Sequence, residues 1–221
     1  MNEFYYFIRN ILLPPLFEGT LVTIKLIILS IPLGLILGVL IAVGRVYGNK
    51  IISTLCTVYV IFFRGTPLLV QLFILYYGLP SVGIFFSPFV AAVIGFIFCS
   101  CAYHSEYIRG ALQSIKSGQM MAAEALGMTR SKAILYIILP QALRRAIPGC
   151  SNEIIYLIKY SSLAFMVTCV ELTGAGKIIA SRYFAYTEVF LVIGIIYLLM
   201  VSVVTKLLNM LEKKLEIPGL G

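Results

Sequence analysis

Long apolar blocks alternate with short polar bands along this chain, and the blocks are of membrane-crossing length. A helix needs about 20 residues to cross a hydrocarbon core. On that measure the pattern predicts five spans, at about 21–43, 54–79, 88–103, 152–173 and 189–205. The first is broken only by Lys25, and the second is interrupted by "RGTP" at 64–67. No block has the period-two alternation of a barrel strand. Backbone groups in lipid must be paired within their own segment, so the spans are helices and the expected fold class is an all-α membrane protein. The shorter blocks fit a bilayer through tilt and local thinning.

One polar band is out of proportion. Residues 110–146 make a connection of 37 residues, far longer than the two to eight or so that usually join helices. Its composition is that of helix. "MMAAEALGM" is rich in strong helix formers, Ser117 and Gly118 can start that helix, and Gly127 can end it. "SKAILYIILPQAL" reads as a second apolar helix, with Ser131 as cap and Pro140 as a kink. A helix, a glycine break and a helix make a structured projection, either a docking element or an amphipathic helix lying on lipid headgroups.

Composition agrees with the pattern. The chain of 221 residues is 61% hydrophobic and only 12% charged, against about 25% charged in soluble domains. Its net charge of +8 is unevenly placed. With the N-terminus outside and the C-terminus in the cytoplasm, eleven basic residues face inward: Arg45, Lys50, Arg109, Lys116, Arg130, Lys132, Arg144, Arg145, Lys206, Lys213 and Lys214. Only Arg9, Lys177 and Arg182 then lie outside, while Lys25, Arg64 and Lys159 fall in spans or at their ends. This asymmetry sets membrane orientation. It leaves no aromatic-basic patch for nucleic acid. The N-terminal "MNEFYYFIRN" is aromatic rather than basic, so the first span is expected to stay uncleaved. The expectation is one multi-pass domain, 1–221, in the cell membrane, with residues 110–146 on the cytoplasmic side.

Enzymatic chemistry finds little to work with. The chain has no Asp, a single histidine, His104, and no Gly-rich Lys motif for nucleotide phosphates. Its five cysteines sit within or beside apolar runs, where a free thiol packs as a small hydrophobe. Cys99-x-Cys101 is too tight for zinc spacing, so no metal site is expected. His104 and Glu106 are two apart, which points them to opposite sides of a helix, and they are expected at a solvated helix end beside Arg109.

Ionisable groups inside spans cost about 2.5–3.5 kcal/mol each on insertion scales and are functional candidates for that reason. Glu153 opens the fourth span beside Asn152. At 100° per residue Glu153 and Tyr160 share a face, whereas Lys159 lies about 120° round from Glu153. Glu153 with Tyr160 can line a cavity as an acid and a hydroxyl for a polar substrate; the alternative is a glutamate snorkelling near the inner surface. Thr66 and Pro67 break the second span, either freeing backbone groups for a substrate or marking the span's cytoplasmic mouth. Gln71, one turn on, is the more favourable polar group for a pocket.

Several stretches, in this order and spacing, resemble one family, the membrane subunits of ATP-binding-cassette importers, in the branch that takes up polar amino acids. Its signature runs Glu-Ala-Ala, three residues, Gly, nine residues, Ile, one residue, Leu-Pro. Here Ala122, Ala123, Gly127, Ile137, Leu139 and Pro140 match, and Met121 stands where the family has Glu. Glu124, close to the same helix face, is the candidate to take over that carboxylate's contacts. "EGTLVTIKLIILSIPLGLILG", "FFRGTPLLVQLFILYYGLP", "YIRGALQSIKSGQ" and "SNEIIYLIKYSSLA" extend the resemblance over nearly the whole chain.

The resemblance implies a five-helix, type I importer transmembrane domain. Its short loop helix, here Met121, Ala122, Ala123, Glu124, Ala125, Leu126, Gly127 and Met128 with Pro140 beyond, fits a cleft on a cytoplasmic ATPase subunit. The small-faced side of Ala122, Ala123 and Ala125 suits such a socket, and Arg130 and Lys132 can meet an acidic rim. The implied partners are ATPase subunits carrying ATP and Mg, a second permease chain, identical or homologous, and an extracytoplasmic substrate-binding protein. No cofactor is expected on this chain. Relatives often have Asp at the position of Tyr160; one acid plus a phenol suits a zwitterion or an uncharged polar side chain. Glu153, Tyr160, Asn152, Gln71 and Thr66 are the expected substrate residues. The alternative is a secondary transporter or channel driven by an ion gradient, a class that usually carries internal repeats; none is found here.

Overall fold

The computed structural model describes residues 5–215. Residues 1–4, part of the stretch read above as an uncleaved N-terminus, and 216–221 of the C-terminal tail lie outside the described residues. The described residues form helices α1 (Phe7–Tyr47), α2 (Lys50–Gly65), α3 (Leu68–Val82), α4 (Pro88–Ser114), α5 (Ser117–Ala125), α6 (Arg130–Val167), α7 (Leu172–Tyr183) and α8 (Tyr186–Leu215), with no strand among them. Helices α1, α4 and α8 are each long and apolar enough to cross a membrane, and the bent pairs α2 with α3 and α6 with α7 bring the number to five if each pair is one span. The helices overrun the apolar blocks that mark them, because helix formers continue past the last lipid-compatible residue.

The 110–146 connection is almost wholly helical. α4 runs on to Ser114, α5 occupies Ser117–Ala125, and α6 starts at Arg130. Thr129, not Ser131, holds the cap position of α6, so Ser131 lies inside the helix.

Three irregular turns share a local cause. The amide of Leu13 donates to the Ile8 carbonyl, that of Leu79 to Ile74, and that of Leu139 to Ile134. Each is a five-residue π-type bond, and each donor directly precedes a proline: Pro14, Pro80 or Pro140. A proline ring collides with the carbonyl four residues back and offers no N–H. Widening the preceding turn relieves that collision. The kink expected at Pro140 takes this form.

By its contacts the chain divides into two compact units. The first comprises the residues up to Pro32, Thr66–Ile97 and Ile155–Thr205. Its apolar packing has two centres. One gathers Leu12, Leu16, Leu172, Ile179, Val189 and Ile193. The other gathers Leu26, Leu72, Phe96, Leu157 and Val167.

The break between α6 and α7 lies in this unit, inside the expected fourth span, which therefore is not one continuous helix. An α-helix starts with four N–H groups that lack helical partners. Here all four are paired. The amide of Leu172 donates to Thr23 Oγ1 at 3.2 Å. Those of Thr173 and Gly174 donate to the two carboxylate oxygens of Glu171, both at 2.9 Å, and that of Glu171 itself donates to the Cys169 carbonyl at 2.9 Å. The Tyr197 hydroxyl of α8 donates to the same carboxylate at 2.9 Å. Glu171 is fully buried.

The second unit comprises Leu33–Gly65, Phe98–Ile154 and the residues from Lys206 on. Ile108, Leu112, Ile138, Ala142 and Ala146 form its centre. Gly34 and Gly38 of α1 make a G-x-x-x-G seam against α4. A Cβ on Gly34 would lie 2.8 Å from Ser100 Oγ, and one on Gly38 would lie 2.8 Å from His104 Cβ. Small residues at such a seam let two helix backbones approach closely. The expected solvated position of His104 is corrected here. Its side chain is fully buried, with Nδ1 at 2.8 Å from the Ser100 carbonyl and 2.9 Å from Ser100 Oγ.

Glu171→Ala strips three buried donors of their acceptor, each worth about 1–3 kcal/mol when left unpaired. The variant should unfold at a clearly lower temperature in detergent than the parent. A Glu171→Gln variant, which keeps one acceptor oxygen, should fall between them.

Candidate functional site

Helix α5 is short and lies mostly in the open. Met121 is 62% exposed and Leu126 85%, and Ala122, Glu124 and Ala125 are exposed with them. Ala123 is the exception; it is buried within the chain, so the small-faced surface consists of Ala122 and Ala125 without it. The helix ends in a fully formed Schellman turn. The amide of Met128 donates to the Ala123 carbonyl at 3.1 Å and that of Gly127 to the Glu124 carbonyl at 2.9 Å. Gly127 sits at φ +81°, and no atom lies within 4 Å of where its Cβ would be. A left-handed residue at this place turns the chain away while pairing the last carbonyls, and glycine does so without a steric penalty. Pro140 lies on α6, two residues past its π turn.

The break between α2 and α3 brings Thr66 and Gln71 together. The Gln71 side-chain amide donates to the Thr66 carbonyl at 3.1 Å and to its hydroxyl at 3.0 Å. Gln71 is buried. A carbonyl that a continuing helix would have paired is thus capped by a side chain one turn later.

Glu106 on α4 gathers three arginines from three helices: Arg45 at 2.6 Å, Arg109 through a close ion pair, and Arg64 at 3.4 Å. Arg64 also lies over the Tyr103 ring, 5.3 Å from its centroid. Glu106 is therefore a tied junction, and it lies more than two turns inside α4, which runs on to Ser114, instead of at the expected helix end. Nothing in the span pattern marked it, although nine acids among seventeen bases make any single acid a focus for cations. Glu171 was missed for a different reason: Glu is not among the favoured helix caps, so its local bonds to the Thr173 and Gly174 amides went unread, and its third partner, Tyr197, lies 26 residues on.

Of the remaining expected residues, Glu153 is buried in α6, and Asn152 beside it is exposed. Tyr160, seven residues on from Glu153, is 44% exposed. It stacks on Tyr156 with ring centroids 6.0 Å apart, and Lys159 Nζ lies 4.4 Å from the centroid of that ring. The described residues contain no group of His, Cys and acidic side chains that could hold a metal ion.

Three apolar helices of spanning length, two bent helix pairs and an exposed capped helix between spans define a multi-pass helical membrane protein. Residues 30–217 match the family described as "Binding-protein-dependent transport system inner membrane component", and the chain belongs to it. A nopaline transport system permease protein of Agrobacterium fabrum (strain C58) is 39% identical over 209 residues, 90% of this chain and 87% of the relative. A probable amino-acid ABC transporter permease protein of Bacillus subtilis (strain 168) is 39% identical over 201 residues, 91% and 89% of the two chains. Among solved structures, an amino acid ABC transporter crystallised with histidines aligns at a TM-score of 0.83 and 35% identity, covering 91% of this chain and 94% of that one. A methionine ABC transporter in an inward-facing conformation shares the fold at a TM-score of 0.79 and 19% identity. The protein is thus an ABC transporter permease subunit of type I fold, a multi-pass component of the inner membrane.

Glu106→Gln removes the one anion that holds Arg45, Arg64 and Arg109 together. Hydrogen bonds to charged groups contribute about 1.5–3 kcal/mol. The variant should unfold at a lower temperature in detergent, and the gap should narrow in high salt as the partly exposed pairs are screened.

Proposed function

We propose that this chain carries a polar amino acid across the membrane after an extracytoplasmic binding protein delivers it, driven by ATP hydrolysed with Mg on cytoplasmic ATPase subunits. The observation that carries the reading is α5: a capped, exposed helix with Met121, Ala122, Ala125 and Leu126 uncovered and a glycine end free of neighbours. Such a helix is a knob for a complementary cleft, and a rigid turn at Gly127 passes its movement to α6. Glu124 supplies the carboxylate that Met121 lacks. The chain lies with its N-terminus outside and its C-terminus in the cytoplasm, so α5 faces the ATPase. The curated relatives and the solved amino acid transporter named above support the substrate class.

A second permease chain, identical or homologous, pairs with this one. Most of the apolar surface of α8 is uncovered, with only 6% of its spanning window buried, which leaves room for lipid and a partner alike. Glu153 is the acid that meets the substrate ammonium, with Tyr160 and Asn152 on the same helix and Thr66 and Gln71 at the break of the second span. One acid beside a phenol favours a zwitterionic or uncharged polar amino acid over a cationic one.

Gly127→Arg forces a side chain into a left-handed backbone, costing about 1 kcal/mol, and places a cation at the tip of the knob. It should insert into the membrane like the parent but lose co-purification with its ATPase subunits. Equal retention of the ATPase by the variant would remove the docking role from α5. Glu153→Gln should leave that co-purification intact and lower substrate-stimulated ATP hydrolysis by about tenfold, the equivalent of about 1.4 kcal/mol.

A further inference from the structure

A cavity of about 380 Å3 lies beside α5, and the function proposed above leaves it unassigned. Its apolar lining comes from Ile115, Met120 and Ile138. Three charged side chains also line it: Lys116, which caps the start of α5, Glu124 near the end of α5, and Arg130, the first residue of α6. Among the described residues none of these three takes part in an ion pair. They surround one space without neutralising each other.

We propose that this cavity binds a free α-amino acid in its zwitterionic form, and that the bound molecule ties α5 to the start of α6. The inference rests on the reading of α5 as the docking helix. A simple anion would satisfy Lys116 and Arg130 but would be opposed by Glu124, and a simple cation would meet the reverse. A ligand with a carboxylate and an ammonium on one carbon answers all three charges, and the apolar lining accommodates its side chain. The volume is at the small end of the range for small-molecule sites.

The position gives the binding a consequence. The turn at 126–129 separates Glu124 from Arg130, and its glycine is free of neighbours. A ligand held by Lys116 and Glu124 on one side and by Arg130 on the other bridges that turn. It restrains the docking helix, so transported amino acid that accumulates on the ATPase side slows further uptake. This is a product-sensing site, separate from Glu153.

The test uses the purified permease in detergent free of phosphatidylethanolamine, whose headgroup also carries both charges. The twenty proteinogenic amino acids are titrated calorimetrically to about 10 mM, enough to saturate a site with a Kd of about 1 mM. At least one should bind saturably, and should still bind to a Glu153→Gln variant. Lys116→Gln and Arg130→Gln should each weaken that binding about tenfold. Converting the ligand's carboxylate to an amide should weaken binding to the parent, less to Arg130→Gln, where only Lys116 still meets it, and not at all to a Lys116→Gln/Arg130→Gln double variant. N-acetylation should behave in the same way towards Glu124→Gln. Thermal unfolding matching the parent's shows that these surface variants are folded. Three results overturn the proposal: no saturable binding by any amino acid; binding that vanishes in Glu153→Gln yet ignores Lys116 and Arg130; or binding of phosphoethanolamine alone. The second leaves the transport reading standing, while retention of the ATPase by Gly127→Arg would remove the docking role whatever the cavity binds.

Discussion

A helix that breaks inside a membrane must find side-chain partners for the backbone groups it exposes, because hydrocarbon offers no water to pair them. This structure depends on that constraint at two places. Where α7 begins, the Thr23 hydroxyl, the Glu171 carboxylate and the Cys169 carbonyl pair the four amides that lack helical partners, and Tyr197 completes the carboxylate. Where α2 gives way to α3, Gln71 reaches back to the Thr66 carbonyl and hydroxyl. The broken spans can persist only because these few side chains are in place.

Charge follows a related economy. Basic residues are structural where an acid lies within reach. Glu106 joins the ends of α1 and α2 to α4 through Arg45, Arg64 and Arg109. Helix α5 has no such anchor at its tip. Its Schellman turn is complete without help from other elements, which lets the exposed helix keep its shape with few neighbours.

Much of this was legible in the chain before any coordinates. Apolar block length predicted five spans, the 64–67 interruption predicted the broken second span, and Gly127 predicted the end of α5. The Leu-Pro pairs at Pro14, Pro80 and Pro140 were equally visible, and each marks a widened turn. Other features were not legible because they rest on partners remote in sequence. The pairing of Leu172 with Thr23 spans 149 positions and that of Glu171 with Tyr197 spans 26. His104 read as solvated because its burial comes from Gly38, 66 positions earlier. Ala123 looked like part of the open face because helix periodicity does not say which face the rest of the chain covers.

The sequence by itself determined what obeys local or one-dimensional rules: helical spans from apolar length, and helix ends from glycine and proline stereochemistry. Its motif order also placed the chain in its family. Only the tertiary structure decided which carboxylates are tied, where the fourth span breaks, and which charges ring a cavity without pairing. Those depend on distances between residues far apart in the chain, and a pattern of hydropathy along the sequence carries no such distances.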